Sequence, residues 1–95
     1  MHAVIRTYAA TPDVIDEARP KLGHLEQTMR GTPGFVAYYF VQTDDGLATI
    51  TITEDEAGTT ESMSRAATWV RENLANSTLG APEFTTGHTL ISATR

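Results

Sequence analysis

Cysteine is absent from this 95-residue chain, which excludes disulfides, thiol nucleophiles and thiolate metal sites together. Positive charge is scarce, with seven Lys and Arg against twelve Asp and Glu and a formal net charge of −5. The few basic residues are dispersed, so no basic patch exists for a phosphate backbone and nucleic acid is not an expected partner. No apolar run approaches the roughly 18 residues of a membrane span, and MHAVIRTYAA has no cationic segment leading into a long apolar one. The resulting expectation is a cytoplasmic protein with no membrane partner. His2, His24 and His88 lack the i, i+4 spacing or tight clustering of metal ligands, so no metal is expected.

What is present is globular. Hydrophobic residues make up 40% and charged residues 20%, far from the composition that keeps a chain disordered. No repeat, linker or low-complexity segment divides residues 1–95, which read as a single domain. A domain of this size buries only about 60–65% of its unfolded surface. Association through a sheet face is therefore a natural way to complete its core.

Residues 34–53, GFVAYYFVQTDDGLATITIT, show the clearest pattern. Two runs of period-two alternation flank Asp44-Asp45-Gly46, which is a strong hairpin signal. A turn at Asp45-Gly46 pairs Asp44 with Leu47. One face then carries Phe35, Ala37, Tyr39 and Val41 beside Ala48, Ile50 and Ile52, and is purely apolar. The other sets Val36, Tyr38, Phe40 and Gln42 against Thr49, Thr51 and Thr53.

Ala3 to Ala10 alternates as a first strand, with Arg6 and Tyr8 on one face. Thr11-Pro12-Asp13 opens a helix whose stripe of Ile15, Ala18, Leu22, Leu25 and Met29 runs to about Arg30. Pro20 removes a helical hydrogen bond but falls opposite that stripe, which predicts one bent helix, with two short helices as the alternative. Glu54 to Gly58 reads as a polar turn, after which Thr59 or Thr60 caps a second helix through about Ala75. Its stripe is Met63, Ala66, Ala67, Val70 and Leu74, with Trp69 on the flank near Asn73. Asn76 to Pro82 reads as a loop and Phe84 to Ser92 as the last strand, interrupted at Gly87.

The order βαββαβ is the ferredoxin-like plan, an α+β fold with one antiparallel four-stranded sheet and two helices on one face. The helices are expected over the face bearing Tyr39, Ile50 and Ile52. A second copy would then bury the Tyr38 and Phe40 face in a twofold dimer.

PGFVAYYFV after the first helix, the EDEAG turn, the helical WVRENL and the final PEFTTGHTLI together resemble the dimeric α+β barrels of the antibiotic-biosynthesis-monooxygenase type. The resemblance spans nearly the whole chain. It implies a homodimer joined through the sheet face and a small apolar or aromatic ligand. The wider superfamily also holds haem-degrading, aldehyde and muconolactone enzymes. The family's oxygenases use an Asn, a Trp and a His or Tyr around an aromatic substrate, without metal or flavin. Trp69 matches the helix-two tryptophan, whereas the strand-one asparagine has no counterpart in a strand that offers Arg6 and Tyr8. Haem-degrading members carry a histidine about ten residues after the tryptophan; Leu79 stands there, so haem degradation is not expected and no cofactor is implied.

His88, inside a predicted strand, is the candidate base and Trp69 the residue that shapes the cavity. Arg6, Tyr8, Tyr39 and Asn73 are candidates for contact with the substrate. Each has a purely structural reading as well. Trp69 can pack at a subunit boundary, His88 can be held within the sheet, and Arg6 can pair with Glu83 or another acid. His2 and His24 are expected in solvent. The implied function is cofactor-free oxygenation of a small aromatic or quinol-type compound. The rival is a non-catalytic small-molecule-binding or stress-response module.

Overall fold

The computed structural model describes residues 1–74 and 79–95. Strands β1 (His2–Ala9), β2 (Phe35–Thr43), β3 (Gly46–Thr53) and β4 (Glu83–His88) form one sheet in the order β2-β3-β1-β4. All neighbouring pairs are antiparallel. Helices α1 (Pro12–Ala18), α2 (Leu22–Arg30) and α3 (Glu56–Asn73) supply the second layer. This is the α+β ferredoxin-like plan, with the first helical segment in two pieces.

Pro20 explains the break. A 3₁₀ turn over Arg19–Lys21 separates α1 from α2, so the two-helix alternative holds rather than one bent helix. The ring both removes an N–H and crowds the carbonyl four residues back. The buried stripe of Val14, Ile15, Ala18, Leu25 and Met29 nevertheless continues across the break. Lys21, in that turn, donates from Nζ to the carbonyl of Asn73, so the chain's one lysine closes the C-terminus of α3, where a cation suits the helix dipole.

Helix α3 begins earlier than its threonines imply. Asp55 is the N-cap, its carboxylate accepting from the Gly58 N–H at 2.9 Å, and the expected polar turn is thus the first helical turn. The buried face is rotated from the apolar stripe and comprises Gly58, Thr59, Ser62, Ala66 and Trp69, while Ala67 is exposed. Hydroxyls are tolerated inside because each finds a carbonyl: Thr59 donates to Glu56 at 2.9 Å and Ser62 to Thr59 at 2.6 Å. The expected helix end at Ala75, and the loop assigned from Asn76 as far as residue 78, lie outside the described residues.

The hairpin turn is Asp44-Asp45, with Thr43 opposite Gly46 and Gln42 opposite Leu47, two positions from the expected pairing. Gly46 has no positive φ; it is needed because a Cβ there would run into the Tyr8 carbonyl of the adjacent strand. Gly34 does take φ +72°, turning the chain out of α2 and into β2. The pairing shift of two leaves the two hairpin faces intact, except that a bulge between Phe35 and Ala37 moves Phe35 to join Tyr38 and Phe40. The last strand ends at His88 and residues 89–95 are not strand.

The helices cover the opposite sheet face from the one expected. Val4, Arg6, Tyr8, Leu47, Thr49 and Thr51 are buried, and Tyr38 and Phe40 pack against the same core. The bare face carries Ile5, Tyr39 and Val41, at 45%, 51% and 45% exposure, beside half-buried Ala48, Ile50 and Ile52. The purely apolar face is therefore the one turned away from the helices.

Candidate functional site

Between α3 and the sheet, one small cavity gathers Arg6 and Thr49 with two tyrosines. Strand β1 contributes Arg6 and Tyr8, which alternation puts on one face, β2 contributes Tyr38 and Phe40, and β3 contributes Thr49. Leu25, Trp69, Leu74 and Leu79 close it from the helix side. Its volume is about 20 Å³, room for a single water. Open surface grooves of about 470, 440 and 410 Å³ also exist, but none is lined by a buried charge.

Arg6 is only 4% exposed, and its Nη2 has no hydrogen-bond partner among the described residues. The ion pair expected with Glu83 does not form. Glu83 lies opposite Thr7 rather than Arg6, and in a pleated pair it therefore points to the bare face. A buried guanidinium without an anion is expensive, because desolvation is not offset.

Tyr38 lies in the field of that charge. Burial pushes its phenol well above the ordinary value near 10, an effect that the Arg6 guanidinium opposes without cancelling it. The neutral phenol is thus the folded-state form. Because the folded pKa exceeds the unfolded one, Tyr38 contributes full stability below pH 10 and loses it as pH rises above 10. Denaturant unfolding at rising alkaline pH is expected to show a loss of up to about 1.4 kcal/mol per pH unit from this residue, and Tyr38→Phe should lack that component.

Trp69 is 3% exposed and part of the core cluster, rather than at the edge of its helix. Its indole N–H donates to His24 Nδ1 at 3.1 Å. His24 is exposed in part yet held by this bond, so it is not simply solvated. Asn73 donates to the Trp69 carbonyl at 2.9 Å and lines the outer groove between α2 and α3 with His24. His2, expected in solvent, is 7% exposed, with Nδ1 2.7 Å from Thr59 Oγ1; it opens β1 between Thr53 and His88.

Of the residues singled out from sequence, the cavity unites Arg6, Tyr8 and Trp69. It does not include His88, which is exposed on the edge strand with its ring edge-on to His2 at 5.4 Å. Tyr39 is on the bare face, and Asn73 lies outside the cavity lining. Tyr38 and Thr49 were missed as site residues. The signal for them was available in the parity that groups Tyr38, Phe40 and Thr49, and in the buried polar alternation of Arg6 and Tyr8.

A two-layer α+β protein with a guanidinium and two phenols converging under a tryptophan is the class that this fold and site define. No family model matches the chain, and no curated protein matches it by sequence. Solved structures do match. A Nitrosomonas europaea protein of unknown function, NE2512, is similar at 16% identity and TM-score 0.79, covering 99% of this chain and 93% of its own. The ActVA-Orf6 monooxygenase of Streptomyces coelicolor, solved with nanaomycin D, matches at 15% identity and TM-score 0.71 over 99% and 91%. The haem degrader MhuD of Mycobacterium tuberculosis matches at 12% and 0.72 over 99% and 100%. With the further antibiotic biosynthesis monooxygenases among the neighbours, these establish the fold as that of antibiotic-biosynthesis-monooxygenase-like proteins.

Proposed function

We propose that this chain binds a small planar aromatic or quinol-type compound in the cavity under Trp69 and oxygenates it without a cofactor. The observation that carries this reading is the convergence of Arg6, Tyr8, Tyr38 and Thr49 on one apolar-walled cavity, since convergent polar groups on apolar walls are what a binding site requires. A ring enters a space of about 20 Å³ only by displacing lining side chains, among which Leu25, Leu47, Val70, Leu74 and Leu79 are the larger aliphatic groups. In the reaction, the ionised ring donates an electron to O₂, the two radicals join in a C–O bond, and loss of water from the hydroperoxide leaves a carbonyl. A ring CH₂ and one O₂ thus become C=O and H₂O.

Haem fits poorly. The described lining holds no histidine or thiolate, Leu79 is among its residues, and Tyr38 keeps its proton. The rival reading, binding without catalysis, draws support from the absence of a proton acceptor among those lining residues. Oxygen uptake with anthrones, followed across pH so that their ionised form is sampled, separates the two. Uptake should depend on the protein and fall at least about tenfold in Trp69→Phe, the scale of a misplaced substrate. His88→Ala should stay within about twofold. Uptake no faster than without protein would leave the binding reading, and an unchanged Trp69→Phe rate would sink the cavity as the site.

We also propose a homodimer joined through the bare face of Ile5, Tyr39, Val41 and Ile50. Large exposed apolar groups in one contiguous patch on a small domain favour a partner of the same kind.

A further inference from the structure

We infer that the compound taken by this cavity is a planar aromatic monoanion, ionised before it arrives, whose charged oxygen sits on the Arg6 guanidinium. The inference rests on the cavity being the binding site and names the class of its ligand. Three observations carry it. Arg6 is 4% exposed and its Nη2 points to no acceptor among the described residues. The described lining contains no carboxylate, so the charge is left for a ligand to neutralise. It also contains no histidine that could take a proton.

The groups that face Arg6 can be taken element by element. Strand β1 presents Tyr8, β2 presents Tyr38 and Phe40, and β3 presents Leu47 and Thr49. Helix α2 presents Leu25, and α3 presents Ala66, Trp69 and Val70. Tyr8 and Tyr38 are the titratable members of this set, and Tyr38 is held neutral by burial. A neutral phenol entering here meets a permanent cation but no base. A ligand that is already an anion gains charge-assisted hydrogen bonds from the Arg6 Nη2, which has no partner among the described residues, and Tyr8 and Tyr38 of the same lining carry hydroxyls able to donate. Oxygenation needs an electron-rich anion, and an acidic enol or phenol supplies one without a catalytic base. A carboxylate offers the same charge without that ring activation.

The test compares three probes by calorimetry at pH 7, with quenching of Trp69, the chain's one tryptophan, as a second readout. They are 2-hydroxy-1,4-naphthoquinone, ionised as an enolate, its neutral 2-methoxy ether, and 2-naphthoate. The enolate should bind about 10- to 100-fold more tightly than the ether, the scale of a hydrogen bond to a charged group. Affinity should fall as pH drops through the ligand's own pKa. Naphthoate binding as well as the enolate identifies a general anion site, whereas weaker naphthoate binding identifies the enolate; both outcomes support the inference. In Arg6→Met the enolate's advantage over the ether should vanish, and in Arg6→Lys, which keeps the charge, much of it should remain. If Arg6→Met does not fold, the pH series on the intact protein decides. Equal binding of ether and enolate would overturn the inference while leaving the cavity as the site. Failure of all three probes would overturn both.

Discussion

Replacing Trp69 by alanine should lower the free energy of unfolding by about 3–5 kcal/mol. The indole is 3% exposed and belongs to the cluster that includes Leu25, Ala66 and Leu74, so its removal loses apolar burial and leaves a void that a β-sheet and three helical pieces cannot close. The lost bond to His24 adds little, because His24 is exposed and can return to water. A domain of this size has about 5–15 kcal/mol of stability in total, so the variant should be close to its unfolding threshold at 37 °C. Trp69→Phe keeps most of the burial and should lose less than half as much. Denaturant unfolding followed by far-UV circular dichroism, which does not depend on the missing fluorophore, gives both values. A loss under about 1 kcal/mol for the alanine variant would mean that the ring is not packed as described.

The second large effect is expected on the bare face. Ile50 pairs with Tyr39 of β2 and with Ile5 of β1, which makes it the centre of an apolar row across the sheet. In the proposed twofold dimer, Ile50→Lys places two unpaired ammonium groups inside one interface, each desolvated without a partner. At about 3 kcal/mol or more, dissociation should strengthen by over about 100-fold. Native mass spectrometry across a dilution series should show the parent chain as a dimer where the variant is a monomer. Far-UV dichroism should remain unchanged, since this side chain faces away from the helices. A variant dimer that persists at the same dilution would place any interface elsewhere, and a monomeric parent would remove the proposal of a dimer altogether.

The two experiments address the two faces of one sheet, and the sequence separates these faces correctly without saying which is which. Period-two alternation groups Tyr39 with Ile50 and Ile52, and Tyr38 with Thr49 and Thr51, and a pairing shift of two residues preserves that grouping. The natural assumption puts the purely apolar set under the helices. It fails here because the inner face is stabilised differently: Thr53 donates to the Asp55 carbonyl at 2.6 Å, Thr49 and Thr51 are buried at 5% and 1%, and Arg6 is held over a cavity. Hydropathy alone ranks such a face as the outer one. The same bias displaces the α3 stripe, where Thr59 and Ser62 are buried and Ala67 is not.

Local chemistry was legible elsewhere. The proline at position 20 marks where its helix departs from regularity, though as a break into two helices rather than the expected single bend, and the order of strands and helices agrees with the sheet order β2-β3-β1-β4. Arg6 and Tyr8 are recognisable as neighbours because residues two apart in a strand share a face. Their meeting with Tyr38, Thr49 and Trp69 is not, since those lie thirty or more residues away in sequence.

The sequence by itself determined the element types, their order, the hairpin and hence the ferredoxin-like fold, because these depend on periodicities of 2 and 3.6 and on Gly and Pro punctuation within a few residues. Tertiary structure alone decided which sheet face the helices cover, that Glu83 turns away from Arg6, and that Trp69 closes a cavity rather than edging a helix. Those outcomes depend on the handedness of the crossovers between the parallel strands β1 and β2 and between β3 and β4, and on cross-strand register. Both are relations between distant segments that no local pattern encodes.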